Sequence, residues 1–505
     1  MSEKYLDKIK NIVVVMLENR SFDSMLGWLY EDEAPPRQQE FEGLHKSMWC
    51  PLDNIDTDGV PFTEKVPIHK NGASTWKYNT ETKHPVSYTL PDPDPGEGFK
   101  DTNDQLFGHY NVASEYPPEP TNMGFVNNYN RAMLYGTYSF GDKPTDPREI
   151  MTTYTPEQLP VLSTLAKKYA VCDQYHCSVP SQTLPNRDFI HAATSTGFVN
   201  NQPEATCDAR TVYNQIEDAI KAGRSDLSWK VYGSNPLDPN DRSYDEDKAG
   251  HEKNSDFFSL TRVIMSQLHD SSLDKNFQTM DDFYDDCKYG SLPRYSFLEP
   301  IFHGEDQCDQ HPPSDVRAGE KFLADIYNAL VDSRQWNDTL LVITYDEHGG
   351  CFDHVAPPKA TPPCKDMPAG QDGFLFNRFG VRVPTVLVSP YIEEGTVCRS
   401  GTYTPFDHTS VIATARKLFN LGESLTERDA KAPDLGIALK LDEPRTDKVA
   451  LEPIPFEKKA VRHHDLHNVL ESALAKLSGE VRKEEEDLIE FLYKAYNRYF
   501  YKSQK

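Results

Sequence analysis

The sequence predicts an α/β protein in which a doubly wound, mixed sheet carries helices on both faces. Short apolar runs at 12–16, 339–345 and 383–389 have the length and composition of strands that are covered on both sides. Segments with helical spacing of apolar residues alternate with these runs, and polar residues follow the runs closely. Since such sheets bind ligands beyond the carboxyl ends of their strands, those polar residues are the first candidates for function.

The first predicted strand covers residues 12–17 and is followed at once by Glu18 and Asn19. Two interpretations of this pair are open. The two side chains form part of a site at the sheet edge, or they only cap a helix that begins near residue 21. This stretch alone does not decide between them.

The remaining elements follow from apolar periodicity and from capping residues. The helix within 155–169 has two possible starts, with Thr155 as its N-cap or with Pro160 as its first residue. Ser314 or Asp315 caps the helix at 316–331. Further helices are predicted from 188 to 195, at 212–222, 255–269 and 410–419, and further strands at 170–172, 228–232 and 295–299.

Two parts of the chain are expected to lie outside this alternation. Residues 28–120 are rich in Pro, Asp, Asn and Gly, and their scattered aromatic residues indicate ordered loops packed on the scaffold. We assign residues 1–427 to one catalytic domain with long loops. Residues 428–505 are assigned to a connector followed by a small helical appendage, with apolar residues at helical spacing in 466–477 and 488–496.

Charge and composition exclude several classes of partner. The net charge of −26 argues against nucleic acid, whose binding depends on neutralising phosphates with Lys and Arg. It also argues against docking on anionic lipid through a basic patch. No apolar run reaches the length of a membrane span, and the N-terminal residues contain no apolar signal region. With nine scattered cysteines that form no paired metal spacing, we expect a cytoplasmic protein with reduced thiols.

Four polar clusters follow predicted strands. They are Glu18-Asn19, the stretch 181–187, the stretch 346–354, and Asp407-His408. Three of them carry carboxylates, and oxygen-rich sites bind hard or borderline divalent metals. Thr183 lies in a loop that leads into a helix, and the backbone N–H groups at the start of a helix can donate hydrogen bonds to a phosphate. Arg187, four residues later, has a guanidinium group, which can donate hydrogen bonds to two phosphoryl oxygens at once.

The motifs also resemble those of a known family. Glu-Asn-Arg-Ser-Phe-Asp at 18–23 resembles the opening motif of the phosphoesterase family, which contains phosphatidylcholine-hydrolysing and plant non-specific phospholipases C and an acid phosphatase. Thr-Leu-Pro-Asn-Arg at 183–187 resembles its second motif. The segments 298–300 with 311–316, 346–358, and 380–384 with 389–391 are similar to its later motifs, in the same order.

This resemblance implies a fold like that of alkaline phosphatase and roles for individual residues. Thr183 is the expected nucleophile, and the metal contacts carry over onto Glu18, Asn19, Thr183, Asp346 and Glu347. The cation is divalent, with calcium or zinc as the expected identities. The other expected site residues are Asn19, His311 and His354 for catalysis, and Arg187, Asn186 and Glu97 for substrate binding.

The resemblance further implies a phospholipase C that releases diacylglycerol and a phosphorylated head group. An acid phosphomonoesterase on the same core is the first alternative, and an inactive lipid-binding or scaffold protein is the second. Glu97 stands where the family tends to place His, which predicts an altered metal preference or pH dependence. We expect a glycerophospholipid substrate and a peripheral membrane contact through the aromatic loops of 28–110 or the Tyr-rich end at 493–501.

Overall fold

An eight-stranded mixed sheet lies at the centre of the computed structural model. The structure describes residues 3–55, 60–72, 85–114, 117–134, 146–201, 206–233, 259–302 and 306–457. The helices predicted beyond residue 457 lie outside the described residues. The strands are β1 Asn11–Leu17, β2 Trp49–Ile55, β3 Pro61–Pro67, β4 His69–Lys70, β5 Thr152–Thr153, β6 Ala170–Val171, β7 Tyr175–His176, β8 Trp229–Gly233, β9 Phe277–Thr279, β10 Tyr295–Leu298, β11 Thr339–Tyr345, β12 Val386–Val388, β13 Thr396–Val397 and β14 Phe406–Asp407.

The strand order of the central sheet is β13-β6-β12-β11-β1-β10-β8-β9. All neighbours pair in parallel except β12, which is antiparallel to both β11 and β6. Every residue of β1 and β11 is buried, so both faces of the sheet are covered at its centre. The predicted mixed, doubly wound sheet is therefore confirmed.

The helices are α1 Glu3–Leu6, α2 Phe22–Leu26, α3 Phe99–Phe107, α4 Phe125–Leu134, α5 Pro160–Lys168, α6 Thr183–Ala192, α7 Val212–Lys221, α8 Leu260–Ile264, α9 Met280–Tyr289, α10 Val316–Asp332, α11 Thr409–Phe419 and α12 Glu427–Lys431. They form two groups around the sheet: α10 packs against α5 and α9, and α6 packs against α7, α8 and α11. None of the helices within the described ranges is both long and apolar enough to cross a bilayer.

Several predicted boundaries are confirmed and others are wrong. Helix α5 begins at Pro160, one of the two predicted starts, and Asp315 caps α10 by accepting the N–H of Arg317 at 3.0 Å. The strand predicted at 383–389 covers only Val386–Val388, because Pro384 has no N–H for the ladder. The helix predicted at 255–269 is limited, within the described residues, to α8 and a turn at 266–268. Met265 between them is extended and pairs with Cys207 instead.

The most consequential difference concerns α6. A loop was predicted up to residue 186, but the helix already begins at Thr183. The predicted irregular region at 28–120 also contains more regular structure than expected, namely the hairpin of β2 and β3 and helix α3. Prolines within β2 and β3 are tolerated because a two-stranded sheet leaves both of its edges free.

Candidate active site

The polar residues that follow β1 and β11 lie side by side. The two strands are parallel, and Leu17 pairs with Tyr345 at their carboxyl ends. The residues that come next are therefore neighbours, and the N–H of Asn19 donates to Oδ1 of Asp346 at 3.0 Å. Glu18, Asn19, Asp346 and Glu347 are all buried at this edge. The structure thus brings together four of the residues onto which the family resemblance carries metal contacts.

Asn19 connects two parts of the site through its side-chain amide. Its Nδ2 donates to Glu97 Oε2 at 2.5 Å and lies 2.9 Å from His311 Nε2. Its Oδ1 faces the other way, where it accepts from Thr183 Oγ1 at 3.5 Å. The backbone of Asn19 has a φ of +56°, a conformation that Asn adopts more readily than most residues. This conformation is consistent with a turn that directs the amide into the site.

Thr183 is the first residue of α6 and is half-buried. Its hydroxyl therefore lies at the amino end of a helix, where unpaired N–H groups give a positive potential. The preceding loop is held by Asn186, whose Oδ1 accepts the N–H of Val179 at 2.9 Å. Its Nδ2 donates to the carbonyls of Val179, Ser181 and Gln182, each at 3.0 Å. The amide of Asn186 is thus engaged by the loop that precedes Thr183.

Arg187 lies one helical turn beyond Thr183 and is 1% exposed. Its Nη2 donates to Glu18 Oε1 at 3.1 Å and its Nε to Asp346 Oδ2 at 3.3 Å. The guanidinium also packs over the ring of Phe302, 5.1 Å from its centroid. Nη1 is buried and finds no acceptor among the described residues. Arg187 therefore holds two carboxylates and keeps one charged donor available.

Six carboxylates converge on the part of the site around Arg187 and Asn19. Asp94 and Asp309 join the expected residues, and sequence reasoning missed both of them. Burial raises the pKa of Glu97 to about 7 and that of Asp309 to about 7, while it raises the pKa values of Glu18, Asp94 and Glu347 well above their ordinary range. The members of this carboxylate group are Glu18, Asp94, Glu97, Asp309, Asp346 and Glu347.

Two guanidinium groups face these acids. Arg187 opposes the rise in the pKa of Glu18, and Arg20 opposes that of Asp94. Glu347 Oε2 accepts the N–H of Gly349 at 2.7 Å, but its Oε1 is buried without a donor among the described residues. Unsatisfied buried carboxylate oxygens are costly, and carboxylate and amide oxygens are the ligands of hard divalent cations. The residues at this edge therefore fit a divalent cation.

His311 is neutral in its environment. Its Nδ1–H donates to the carbonyl of Pro312 at 2.6 Å, which leaves the Nε2 lone pair to accept from Asn19. Burial lowers the pKa of His311 to about 4. It touches Asn19 directly, so the structure brings this predicted residue into the site, but as a hydrogen-bond acceptor.

His354 belongs to a second network. Its Nδ1–H donates to Asp23 Oδ2 at 2.6 Å, and Arg382 bridges Asp23 Oδ1 at 2.9 Å and Asp353 Oδ1 at 3.0 Å. Burial alone would lower the pKa of His354, but the contact with Asp23 outweighs it, so the pKa is raised. The imidazole is 17% exposed, and its contacts are to this network and not to Asn19 or Thr183. Asp23 therefore favours the charged form of His354.

Residues around the site fix the strand ends. His408 Nε2–H donates to the backbone carbonyl of Asp346 at 2.6 Å, and Asp407 accepts from Ser178 Oγ at 2.7 Å. The predicted pair Asp407-His408 thus supports β11 and the loop before Thr183. Gly349, with a φ of +58°, packs so closely that a Cβ there would lie 2.2 Å from the carbonyl oxygen of Asn19. Only glycine fits at this contact.

The sequence is similar to those of several known proteins. The model of the phosphoesterase family matches residues 9–422. Non-specific phospholipase C3 of Arabidopsis thaliana is 34% identical over 88% of this chain and 76% of its own length. Non-specific phospholipase C5 of the same plant is 31% identical over 100% of this chain and 91% of its own length. Phospholipase C B of Mycobacterium tuberculosis is 27% identical over 93% of this chain and 86% of its own length.

Solved structures show a more distant similarity. A phosphonate monoester hydrolase from Silicibacter pomeroyi is 12% identical, with a TM-score of 0.31 over 58% of this chain and 73% of its own. The family match covers most of the chain and includes every strand-end residue described above. The chain belongs to the phosphoesterase family.

Proposed function

We propose that this protein is a phospholipase C that cleaves the glycerol–phosphate bond of glycerophospholipids, with Thr183 as the nucleophile. The relatives named phospholipase C support the reaction class. One observation supports the nucleophile: the half-buried Thr183 hydroxyl lies at the start of α6, 3.5 Å from Asn19 Oδ1 and beside the carboxylate group. A helix N-terminus and an adjacent cation site both favour the ionised form of a hydroxyl, which is the form that attacks phosphorus.

Glu18, Asn19, Asp346 and Glu347 would hold a divalent cation together with Thr183 Oγ1. A cation bound there supplies positive charge that lowers the pKa of the hydroxyl and opposes charge on the phosphoryl oxygens. The buried Nη1 of Arg187 would donate to one of these oxygens as charge develops. Asn186 and the start of α6 keep the hydroxyl oriented.

The proton for the departing diacylglycerol is assigned to His354 and not to His311. Nδ1 of His354 is held by Asp23, so Nε2 carries the proton that can be donated. His311 has the opposite arrangement, since its Nε2 accepts from the Asn19 amide. Glu97, which accepts from Gln182 at 3.3 Å as well as from Asn19, acts through these neighbours in this proposal.

Two substitutions at Thr183 test the nucleophile. Thr183→Ala should reduce diacylglycerol release from phosphatidylcholine by several orders of magnitude, whereas Thr183→Ser should retain measurable activity because the hydroxyl remains. The wild-type protein, quenched during turnover, should carry a phosphoryl group on Thr183 in a mass spectrum of its peptides. Near-normal activity of Thr183→Ala would overturn the assignment.

The same assay separates the alternative activities. Hydrolysis of p-nitrophenyl phosphate without diacylglycerol release would indicate the phosphomonoesterase, and the absence of both would indicate the lipid-binding protein. We further propose a peripheral membrane contact near the aromatic loops, where Phe62 is 41% and Tyr110 37% exposed. Replacing both by Ser should weaken sedimentation with phosphatidylcholine vesicles while activity on a short-chain, monomeric substrate is unchanged. Unchanged sedimentation would assign the contact to another part of the chain.

A further inference from the structure

The first turn of α6 receives no cap from its own N-cap residue, Gln182. An N-cap side chain usually accepts the N–H of the second or third helical residue. The third residue of α6 is Pro185, which has no N–H, so the N–H of Leu184 is the donor that remains for a cap. The side chain of Gln182 does not accept it. The turn that carries Thr183 is therefore capped from another part of the chain.

Asn201 supplies this cap, although it follows Leu184 by 17 residues. Its Oδ1 accepts the N–H of Leu184 at 2.8 Å, and its own backbone N–H donates to Gln182 Oε1 at 3.0 Å. The two bonds are reciprocal, as in a capping box, but here the helix and the capping residue belong to separate segments. Asn201 is 8% exposed, so water competes little for its side chain. The orientation of this turn therefore depends on Asn201.

The backbone that follows α6 brings Asn201 to the amino end of the same helix. The C-cap residue of α6 is Ala193, and the chain reverses its direction just beyond it. The reversal uses three positive φ values, +58° at Ala193, +52° at Thr196 and +100° at Gly197. The chain then returns to Leu184, where Asn201 makes its contact. The cap is thus built by the turn that ends the helix and by the segment that runs back along it.

A surface loop and α3 fix the returning segment. Gln371 Oε1 accepts the N–H groups of Val199 at 3.1 Å and Asn200 at 3.0 Å. Asn200 Oδ1 in turn accepts the N–H of Phe99, the first residue of α3, at 2.9 Å. Two neighbours of Asn201 are therefore held by hydrogen bonds, so the capping amide has a fixed position.

Thr183 lies between the two residues that Asn201 binds. We propose that Asn201 is a positioning residue for the nucleophile, because it holds Gln182 before Thr183 and Leu184 after it. This inference rests on the proposed function for the role of Thr183. Within the described residues, Asn201 bonds neither to the Thr183 hydroxyl nor to a member of the carboxylate group. Its effect is therefore on the direction in which the hydroxyl approaches phosphorus and not on the binding of the substrate.

Loss of the Asn201 side chain should affect the rate more than substrate binding. The N–H of Leu184 would lose its acceptor, and the first turn would have to shift or fray to pair it with water. A displacement of about 1 Å at reacting groups can cost roughly 100-fold in rate. Asn201→Ala should therefore lower kcat by roughly 10- to 100-fold. KM should change little, because the groups that contact the substrate remain.

Thr211 provides the matched control. It caps α7 in a similar way, since its Oγ1 accepts the N–H of Asn214 at 3.2 Å, but α7 supplies none of the site residues described above. Diacylglycerol release from a short-chain phosphatidylcholine is measured on the full chain, at a temperature well below the melting transition of each variant. Asn201→Ala and Thr211→Ala should lower the melting temperature by similar amounts, and only Asn201→Ala should lower kcat.

Gln371 gives a second pair of variants that leave α6 itself unaltered. Gln371→Ala removes the acceptor for the N–H groups of Val199 and Asn200 and should lower kcat, again with KM little changed. Gln371→Glu keeps an oxygen that can accept both N–H groups, so it should restore most of the kcat lost in Gln371→Ala. This pair carries the test if Asn201→Ala does not fold.

Three results would overturn the positioning role. They are a kcat of Asn201→Ala within about threefold of the wild type, an equal loss of kcat in Thr211→Ala, and a loss in Gln371→Ala that Gln371→Glu does not restore. The proposed function fails differently, through near-normal activity of Thr183→Ala. If Thr183→Ala is inactive while Asn201→Ala is normal, the nucleophile stands and only the positioning role is refuted.

Discussion

Replacing Arg187 by Lys tests how the buried guanidinium contributes to turnover. Arg187 makes two charged contacts, to Glu18 at 3.1 Å and to Asp346 at 3.3 Å, and no residue in the described ranges accepts from its Nη1. Both contacts are longer than the 2.7–2.9 Å of strong charge-assisted bonds. Lys would keep the positive charge but has one ammonium group, which cannot serve both carboxylates and a phosphoryl oxygen.

The magnitude follows from the loss of one preorganised donor. Removing such a donor from a buried site reduces kcat by ~100- to 1,000-fold, or about 3–4 kcal/mol. If Nη1 binds the phosphoryl oxygen only as charge develops, kcat and kcat/KM should fall together in Arg187→Lys, with KM little changed. The assay is diacylglycerol release from a short-chain phosphatidylcholine, with bound metal measured on the same samples.

Arg399→Lys is the matched control. Arg399 also binds a buried carboxylate, that of Asp173, at 3.0 and 2.8 Å, but Asp173 is not a member of the carboxylate group. The Arg399→Lys substitution should leave kcat unchanged. Activity of Arg187→Lys within threefold of the wild type would refute the contact with the phosphoryl group. A loss of activity in proportion to lost metal would show that Arg187 acts by positioning Glu18 and Asp346.

Three further predictions concern the supporting structure. In Asp23→Asn, the alkaline limb of the kcat profile should move to lower pH, because Asp23 raises the pKa of His354; an unmoved limb would exclude His354 as the acid. Glu320 on α10 accepts the N–H groups of Val161 at 2.6 Å and Leu162 at 3.0 Å, where α5 has no side-chain cap. Burial raises the pKa of Glu320 to about 8. The free energy of unfolding of the wild type, relative to that of Glu320→Gln, should therefore be greatest below about pH 4.5 and fall by up to about 5 kcal/mol as the pH rises through 8. If the urea midpoints of the two proteins differ by the same amount at low and at high pH, this prediction is wrong. Gly349→Ala should lower the melting temperature and the activity far more than Gly373→Ala. Both glycines have a positive φ, but only at Gly349 would an added Cβ lie within 4 Å of other atoms. Equal effects of the two substitutions would show that backbone strain alone is responsible.

The strand ends of the site could be predicted because they depend on local pattern. Buried runs such as β1 and β11 are recognisable from composition, and parallel pairing necessarily brings their carboxyl ends together. Glu18 and Asp346 could therefore be assigned to one wall without knowledge of their distance. The alternative that Glu18 and Asn19 cap α2 was open, and the structure assigns that cap to Ser21, whose side chain accepts the N–H of Ser24.

The start of α6 could not be predicted in the same way. Pro185 lies in its first turn and was interpreted as a loop residue. The first four N–H groups of a helix have no internal acceptor, however, so the missing N–H of Pro185 costs nothing there. Asp94 and Asp309 were missed for a different reason. They stand on irregular segments, whose approach to the sheet edge depends on tertiary packing and not on any periodicity.

The two acidic groups of the structure differ in how their charge is balanced, and this difference separates their proposed roles. Asp23 and Asp353 share Arg382, which bonds to both, and His354 adds a second positive charge when protonated. Counted by themselves, these two acids and two cationic groups balance each other, so the network can hold a proton on His354. The carboxylate group has no such balance, because Arg20 and Arg187 face six acids. This difference in charge balance is why we propose proton transfer at one group and cation binding at the other.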